Sequence, residues 1–242
     1  RPMEHGHERT EPRWGRGDTI KVGSACRSRS ELDYRVIPVN IGEGDQFEAD
    51  FLAISPNNRM PAIIDPDVDA SQPVSVFESG AILFYLAEKT GKFLDQAPLA
   101  KKETMEWVFW QMANLGPMGG QYSHFHNYAP KQGNEYSLKR YTDEYNRCLG
   151  VLDRRLAEHE FIVDEYSIAD MASWPWVLIA RSMGQPLDNF PHVDRWNKAI
   201  KQRPAARRGV DVGKEDRRQK PPSDKERQIL FNQTATSTAK KL

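Results

Sequence analysis

The sequence predicts a small α/β module followed by an all-helical one. Three observations carry this. Between residues 34 and 77 the apolar residues fall in short β-branched runs broken by Pro, Gly, Asn and Asp. From Lys102 onward they recur at helical spacing, with Met105, Val108, Phe109, Met112 and Leu115 on one stripe. Between the two regimes, Ser79 to Lys89 is apolar nearly all round and is stopped by Gly91, the pattern of a buried helix.

At 242 residues the chain has room for one large domain or two small ones. Hydrophobic residues at 38% and aromatics at 10% suffice for a core. The mean hydropathy of −0.71 is low, and the two chain ends account for most of that. Lys+Arg and Asp+Glu are both 34, so nothing points to an electrostatic nucleic-acid binder. No apolar run approaches the roughly 18–20 residues of a membrane span, and the N-terminus carries no apolar signal region. Cys26 and Cys148 lie far apart without metal-type spacing, so a reducing, cytoplasmic setting and no metal are expected. His124 and His126, two residues apart, are poorly placed to share a metal from one helical face.

Taken in order, Arg1 to Gly17 is charged and rich in Gly and Pro, and reads as disordered. Val22 to Ser30 lacks an apolar face. Tyr34 to Val39 reads as a strand, with Pro38 placing it at an edge or strand end. Gln46 to Ile54 carries Phe47, Phe51, Leu52 and Ile54 at helical spacing, and Ser55-Pro-Asn-Asn ends that helix. Pro61 to Asp65 and Val74 to Phe77 read as two antiparallel strands. Pro61 directly precedes a strand, where a proline is either an ordinary loop residue or a cis turn that presents the backbone of Met60 to an extended peptide. Glu78 and Ser79 open the following helix. Free N–H groups and the helix dipole there attract a carboxylate, Ser79 can donate to it, and Glu78 can take an ammonium group. Plain capping also explains Ser79, but not Glu78.

In the second module Gly116 to Gly120 interrupts or bends the first helix. Tyr141, Tyr145, Cys148, Leu149, Leu152 and Leu156 make the next apolar stripe, with Cys148 a packed thiol. Ser167-Ile-Ala-Asp170 is an acidic capping box, and Pro175 should bend the helix it starts. Val193, Trp196 and Ile200 mark a last helix, ended by Arg203-Pro204. From Arg207 the composition turns to alternating charge, with only Ile229-Leu-Phe231 apolar. This is either a disordered tail or an extension that packs back through Leu230 and Phe231.

The stretches Ser55-Pro-Asn-Asn-Arg59, Phe77-Glu-Ser-Gly-Ala-Ile-Leu83, Phe109-Trp-Gln111, Leu115-Gly-Pro-Met118 and Tyr166-Ser-Ile-Ala-Asp170 resemble the cytosolic glutathione transferases, bacterial Nu-class branch, from about Glu31 to Pro204. The resemblance implies a thioredoxin-like N-terminal domain over 31–92 and an all-α C-terminal domain over 100–206, flanked by an aberrant or disordered segment 1–30 and a charged extension 207–242. It implies a homodimer. It places glutathione, as co-substrate, on the backbone of Met60 beside a cis Pro61, on Glu78 and Ser79, and near Gln46, Asn57 and Arg59. Arg140 matches an arginine that reaches the ligand from the neighbouring subunit; as a lone residue it also reads as a solvated helix charge.

The implied activity is disulfide-bond reduction by the glutathione thiolate, with peroxidase or conjugating activity on small electrophilic, peroxide or disulfide substrates. The departure is N-terminal. Arg16-Gly-Asp-Thr19 stands where this branch has the thiol-activating Thr-Pro-Asn-Gly, no apolar strand precedes it, and Thr19 is the weak catalytic candidate. Either the first thirty residues are an aberrant reading, or the chain is a catalytically weakened binding or interaction module. Cys26 lacks a partner cysteine and is a poor nucleophile candidate.

Overall fold

A computed structural model describes residues 19–20, 32, 34–68, 73–214 and 220–235. The expectations for Arg1–Gly17, for the Arg16–Asp18 loop, and for Cys26 and its neighbours in 22–30 lie outside the described residues. Two compact units divide the chain. One comprises 1–22, 33–78 and 215–242, the other 23–32 and 79–214.

Among its described residues the first unit holds four short strands: β1 (Thr19–Ile20), β2 (Val36–Ile37), β3 (Ala62–Asp65) and β4 (Val74–Phe77). β1 runs parallel to β2, pairing Thr19 with Val36 and Ile20 with Ile37, and also lies against β3. β3 and β4 are antiparallel, with Ala62 opposite Phe77 and Asp65 opposite Val74, as the two apolar runs predict. The sequence offers no apolar run for β1, yet a strand stands there. Among the described residues the strand predicted over Tyr34–Val39 pairs at Val36–Ile37, just before Pro38, which has no N–H to continue the ladder.

The helix expected from Gln46 to Ile54 is split. A 3-10 turn, Asp45–Phe47, gives way at Glu48, in extended backbone, to α1 (Ala49–Ile54). Phe51 and Ile64 are buried together, flanked by Ile37, Val39 and Ile54, and this small core seats α1 on the strands. The C-terminal extension folds as well. α9 (Asp224–Phe231) starts from a capping box in which Ser223 Oγ accepts from Glu226 N and the Glu226 carboxylate accepts from Ser223 N. The extension is therefore not a disordered tail over the described residues 220–235.

The second unit is helical: α2 (Ser79–Thr90), α3 (Pro98–Trp110), α4 (Gly116–Asn127), α5 (Glu135–Leu156), α6 (Ile168–Leu178), α7 (Pro191–Gln202) and α8 (Pro204–Asp211). α2 packs against α6, which is why it belongs with the helices rather than with the strands that precede it. α3 and α4 are joined by a π-helical turn, Gln111–Leu115, whose widened bond runs from Gly116 N to Gln111 O. The predicted interruption thus falls one turn before Pro117, which sits harmlessly in the first turn of α4. A Cβ on Gly116 would stand 2.8 Å from Gln111 Nε2 and 3.2 Å from Gln111 O, so a larger residue there would have to displace the Gln111 side chain. α8 is an element the sequence reading did not anticipate. Pro204 ends α7 but is the first residue of the next helix.

The core of this unit is organised by Asp170, fully buried at the start of α6. Its Oδ1 accepts from Ile162 N at 3.0 Å and from Trp196 Nε1 at 2.8 Å. Its Oδ2 accepts from Ser167 N at 2.9 Å, and Ser167 Oγ caps Ala169 N at 3.2 Å. The capping box read from Ser167 and Asp170 is therefore present and reaches further than a helix start. Burial pushes the carboxyl above the ordinary carboxylate range, against the pull of four donors: Ile162 N, Trp196 Nε1, Ser167 N and, at 3.3 Å, Ser167 Oγ. Asp153 Oδ1 likewise accepts from His192 N and Val193 N, fixing the start of α7 on α5. Among the described residues no helix is long and apolar enough to cross a membrane.

Candidate functional site

The candidate residues of the first unit lie on two loops and one strand end. The loop after α1 is shaped by Ser55, whose Oγ donates to Arg59 O at 2.8 Å while its carbonyl accepts from Asn58 N at 2.9 Å. Asn58 takes the left-handed conformation this tight return needs, with φ 47, which asparagine tolerates better than most residues. Asn57 and Arg59 are thereby held exposed on either side of Asn58. Met60 follows, 39% exposed, and the Met60–Pro61 peptide bond is cis. The β3–β4 ladder begins at Ala62, so Met60 lies outside it.

At the end of β4, Glu78 has φ 67, a conformation L side chains rarely adopt outside turns and sites. Its Oε1 accepts from Asn57 Nδ2 at 3.0 Å. The structure thus brings together Asn57 and Glu78, two candidates far apart in the chain. Gln46 is placed differently from the exposed loop residues. It is 2% exposed, and its Nε2 donates to Ile41 O at 3.4 Å. Its Oε1 has no partner among the described residues, which leaves one buried acceptor for a ligand or water.

Ser79 is the first residue of α2, half-buried, and its Oγ donates to Met112 Sδ at 3.7 Å. Met112 packs directly on the first turn of α2, since a Cβ on Gly80 would stand 3.2 Å from its Cγ and Sδ. Met112 was legible only as part of a core stripe. The π turn that carries it has no sequence signature. A thioether is a weak acceptor, so the Ser79 hydroxyl stays available to a stronger one. Arg140 lies exposed on α5 and pairs with Glu144 at 2.7 Å, which in turn holds Arg147 at 3.0 Å. Hydrogen bonds from both arginines lower the Glu144 carboxyl, and Glu144 raises Arg140. Thr19, the weak catalytic candidate, has its backbone in β1, paired with Val36. Cys148 is fully buried, and burial raises its thiol, which suits a packed residue and not a nucleophile. Among the described residues no group of His, Cys, Asp or Glu is disposed to hold a metal ion.

A small strand-and-helix unit with a cis-proline edge, joined at Glu78–Ser79 to a helical unit, defines a protein with a thioredoxin-like N-terminal domain and an all-α C-terminal domain. Two family models match it: the glutathione S-transferase N-terminal domain over residues 25–88 and the C-terminal domain over 117–204. The chain belongs to the glutathione S-transferase family. It is 48% identical to the disulfide-bond oxidoreductase YfcG of Escherichia coli (strain K12) over 178 residues, covering 73% of this chain and 82% of that protein. It is 44% identical to the disulfide-bond oxidoreductase YghU of the same organism over 190 residues, covering 75% of this chain and 65% of that one, just under two thirds of its length. Among solved structures, a Pseudomonas putida glutathione transferase with glutathione disulfide bound superposes with a TM-score of 0.73 at 38% identity, covering 79% of this chain and 86% of that chain. A Burkholderia graminis glutathione transferase with two glutathione molecules bound per subunit gives 0.74 at 39% identity, covering 79% and 83%.

Proposed function

We propose that the protein binds glutathione and uses its thiolate to reduce disulfides, as a transferase of Nu type. The observation that carries this is the Asn57–Glu78 pair, held at φ 67 immediately before the start of α2. Glutathione begins with a γ-glutamyl group bearing one ammonium and one carboxylate. The Glu78 carboxylate suits the ammonium, and the Ser79 hydroxyl with the first-turn N–H groups of α2 suits the carboxylate. Met60, outside the ladder, offers main-chain groups to the cysteinyl residue. Gln46, Arg59 and Pro61 complete the first-unit set. The two E. coli relatives named as disulfide-bond oxidoreductases, and the neighbours solved with glutathione or its disulfide, support the reading.

The chemistry needs no protein thiol. The glutathione thiolate attacks a substrate disulfide, forming a mixed disulfide and releasing one substrate thiolate. A second glutathione attacks the mixed disulfide, releasing glutathione disulfide and the other thiolate. Peroxidase and conjugating activity use the same thiolate. We also propose a cytoplasmic homodimer in which Arg140 serves the neighbouring subunit.

Calorimetric titration with glutathione tests the binding, and its absence at millimolar ligand sinks the proposal. Turnover of a small-molecule disulfide, compared with free glutathione at equal concentration, tests the catalysis. A second reading is favoured by Arg16-Gly-Asp-Thr19 standing where the activating loop is expected. On that reading the chain binds glutathione without accelerating exchange, and tight binding with no acceleration is its signature.

A further inference from the structure

The C-terminal extension does more than cover surface. α9 has only eight residues, and a helix that short does not hold itself in water. Within the first unit it reaches the turn just before Gln46 and the loop that carries Arg59. Lys225 Nζ lies 3.5 Å from Glu43 Oε2. Ile229 Cγ2 would be 3.8 Å from a Cβ on Gly44, a residue whose φ of 91 already calls for glycine. Gln233, two residues past the helix end, bridges to Arg59. Its Nε2 donates to Ile229 O at 3.1 Å and to Leu230 O at 3.3 Å, carbonyls left open where the helix stops. That fixes which end of the amide points where. Its Oε1 then accepts from Arg59 Nη1 at 2.8 Å.

The partners of Arg59 share one property. Nη1 donates to Gln233 Oε1, to Asn58 Oδ1 at 3.2 Å and to Asn58 O at 3.5 Å, and all three acceptors are neutral. Among the described residues no carboxylate pairs with Arg59, and its Nη2 and Nε have no partner. The guanidinium is therefore held by one nitrogen while its charge and its second edge stay available. A planar fork held this way is prepared for a carboxylate.

We propose that Gln233 is a positioning residue for Arg59, and that α9 docks to hold that guanidinium for the glycyl carboxylate of glutathione. This rests on the glutathione reading, in which Glu78 and Ser79 take both charges of the γ-glutamyl group and leave the glycyl carboxylate to be met. The extension thus acts as a specificity element for a ligand that ends in a free carboxylate.

The test compares glutathione with its glycyl ethyl ester by calorimetry on the full chain. Gln233→Ala should weaken glutathione roughly three- to tenfold, the range of one hydrogen bond's net contribution, and leave the ester within about twofold. Gln233→Glu should weaken glutathione at least as much, because its carboxylate cancels the charge of Arg59. Arg59→Ala combined with Gln233→Ala should bind no more weakly than Arg59→Ala alone. Equal weakening of both ligands by Gln233→Ala, or no weakening of glutathione, overturns the proposal while the glutathione reading stands. No binding by the unmodified chain overturns that reading and this proposal with it.

Discussion

Asn57 Nδ2 donates to Glu78 Oε1 at 3.0 Å, tying the loop before the cis proline to the end of β4. The contact leaves the second carboxylate oxygen of Glu78 for another donor and limits where the side chain can go. Glu78→Gln should weaken glutathione roughly ten- to hundredfold, because a charge-assisted hydrogen bond becomes a neutral one. Asn57→Ala should cost less, about three- to tenfold, since it loosens the carboxylate without removing it. Calorimetry on both variants checks the order, and a larger loss for Asn57→Ala would contradict the assigned roles.

Ser79 and Met112 make a second testable pair. The hydroxyl rests on a sulfur that a ligand carboxylate easily displaces. Ser79→Ala should weaken glutathione roughly three- to tenfold. Met112→Leu keeps the volume and loses only the weak acceptor, so affinity should stay within about twofold. Fluorescence or calorimetric titration distinguishes them. A Met112→Leu loss as large as that of Ser79→Ala would show that the sulfur orients the hydroxyl.

Asp170 should dominate stability among the polar residues of the helical unit. Asp170→Ala leaves Ile162 N, Ser167 N and Trp196 Nε1 without their acceptor in a fully buried place. A loss of about 3 kcal/mol or more is expected, read as a lower urea midpoint. A loss under about 1 kcal/mol would mean that the network relaxes onto other partners.

The alkaline limb of stability follows from Cys148, Tyr145 and Tyr122. Burial raises all three in the fold. Groups raised in this way contribute stability that is complete below their unfolded values, about 8.5 for Cys and 10 for Tyr. That stability is lost as pH rises through the higher folded values. Unfolding free energy should therefore fall from about pH 8.5 upward. Cys148→Ala should flatten the first part of the decline and Tyr145→Phe the later part. Urea unfolding in steps from pH 7 to 11 measures both slopes, and an unchanged slope in Cys148→Ala would remove the thiol from the account.

What could be read in advance depended on how local the signal was. The β3 and β4 runs, the α2 apolar block and the Ser167–Asp170 box are each written within a dozen residues, and each is where its pattern places it. Glu78 and Ser79 stand at the start of α2 for the same local reason, the switch from the β4 run to an apolar helix. The hydrogen bond from Asn57 to Glu78 was not legible, because it joins positions 21 apart. Nor was the π turn at Gln111–Leu115. Its stripe of apolar residues looks like that of an ordinary helix.

The sequence by itself determined the β3–β4 pair, the buried α2 and the change from short strands to helices, because hydrophobic period, proline and capping chemistry act over a few residues. Tertiary structure alone decided three things. It set a strand at Thr19–Ile20 beside β2 and β3, where pairing supplies what the local composition does not. It gave the charged extension a helix, because docking stabilises eight residues that propensity alone cannot. And it brought Gln233 to Arg59 across 174 positions, a contact with no local cause that only a folded chain can make.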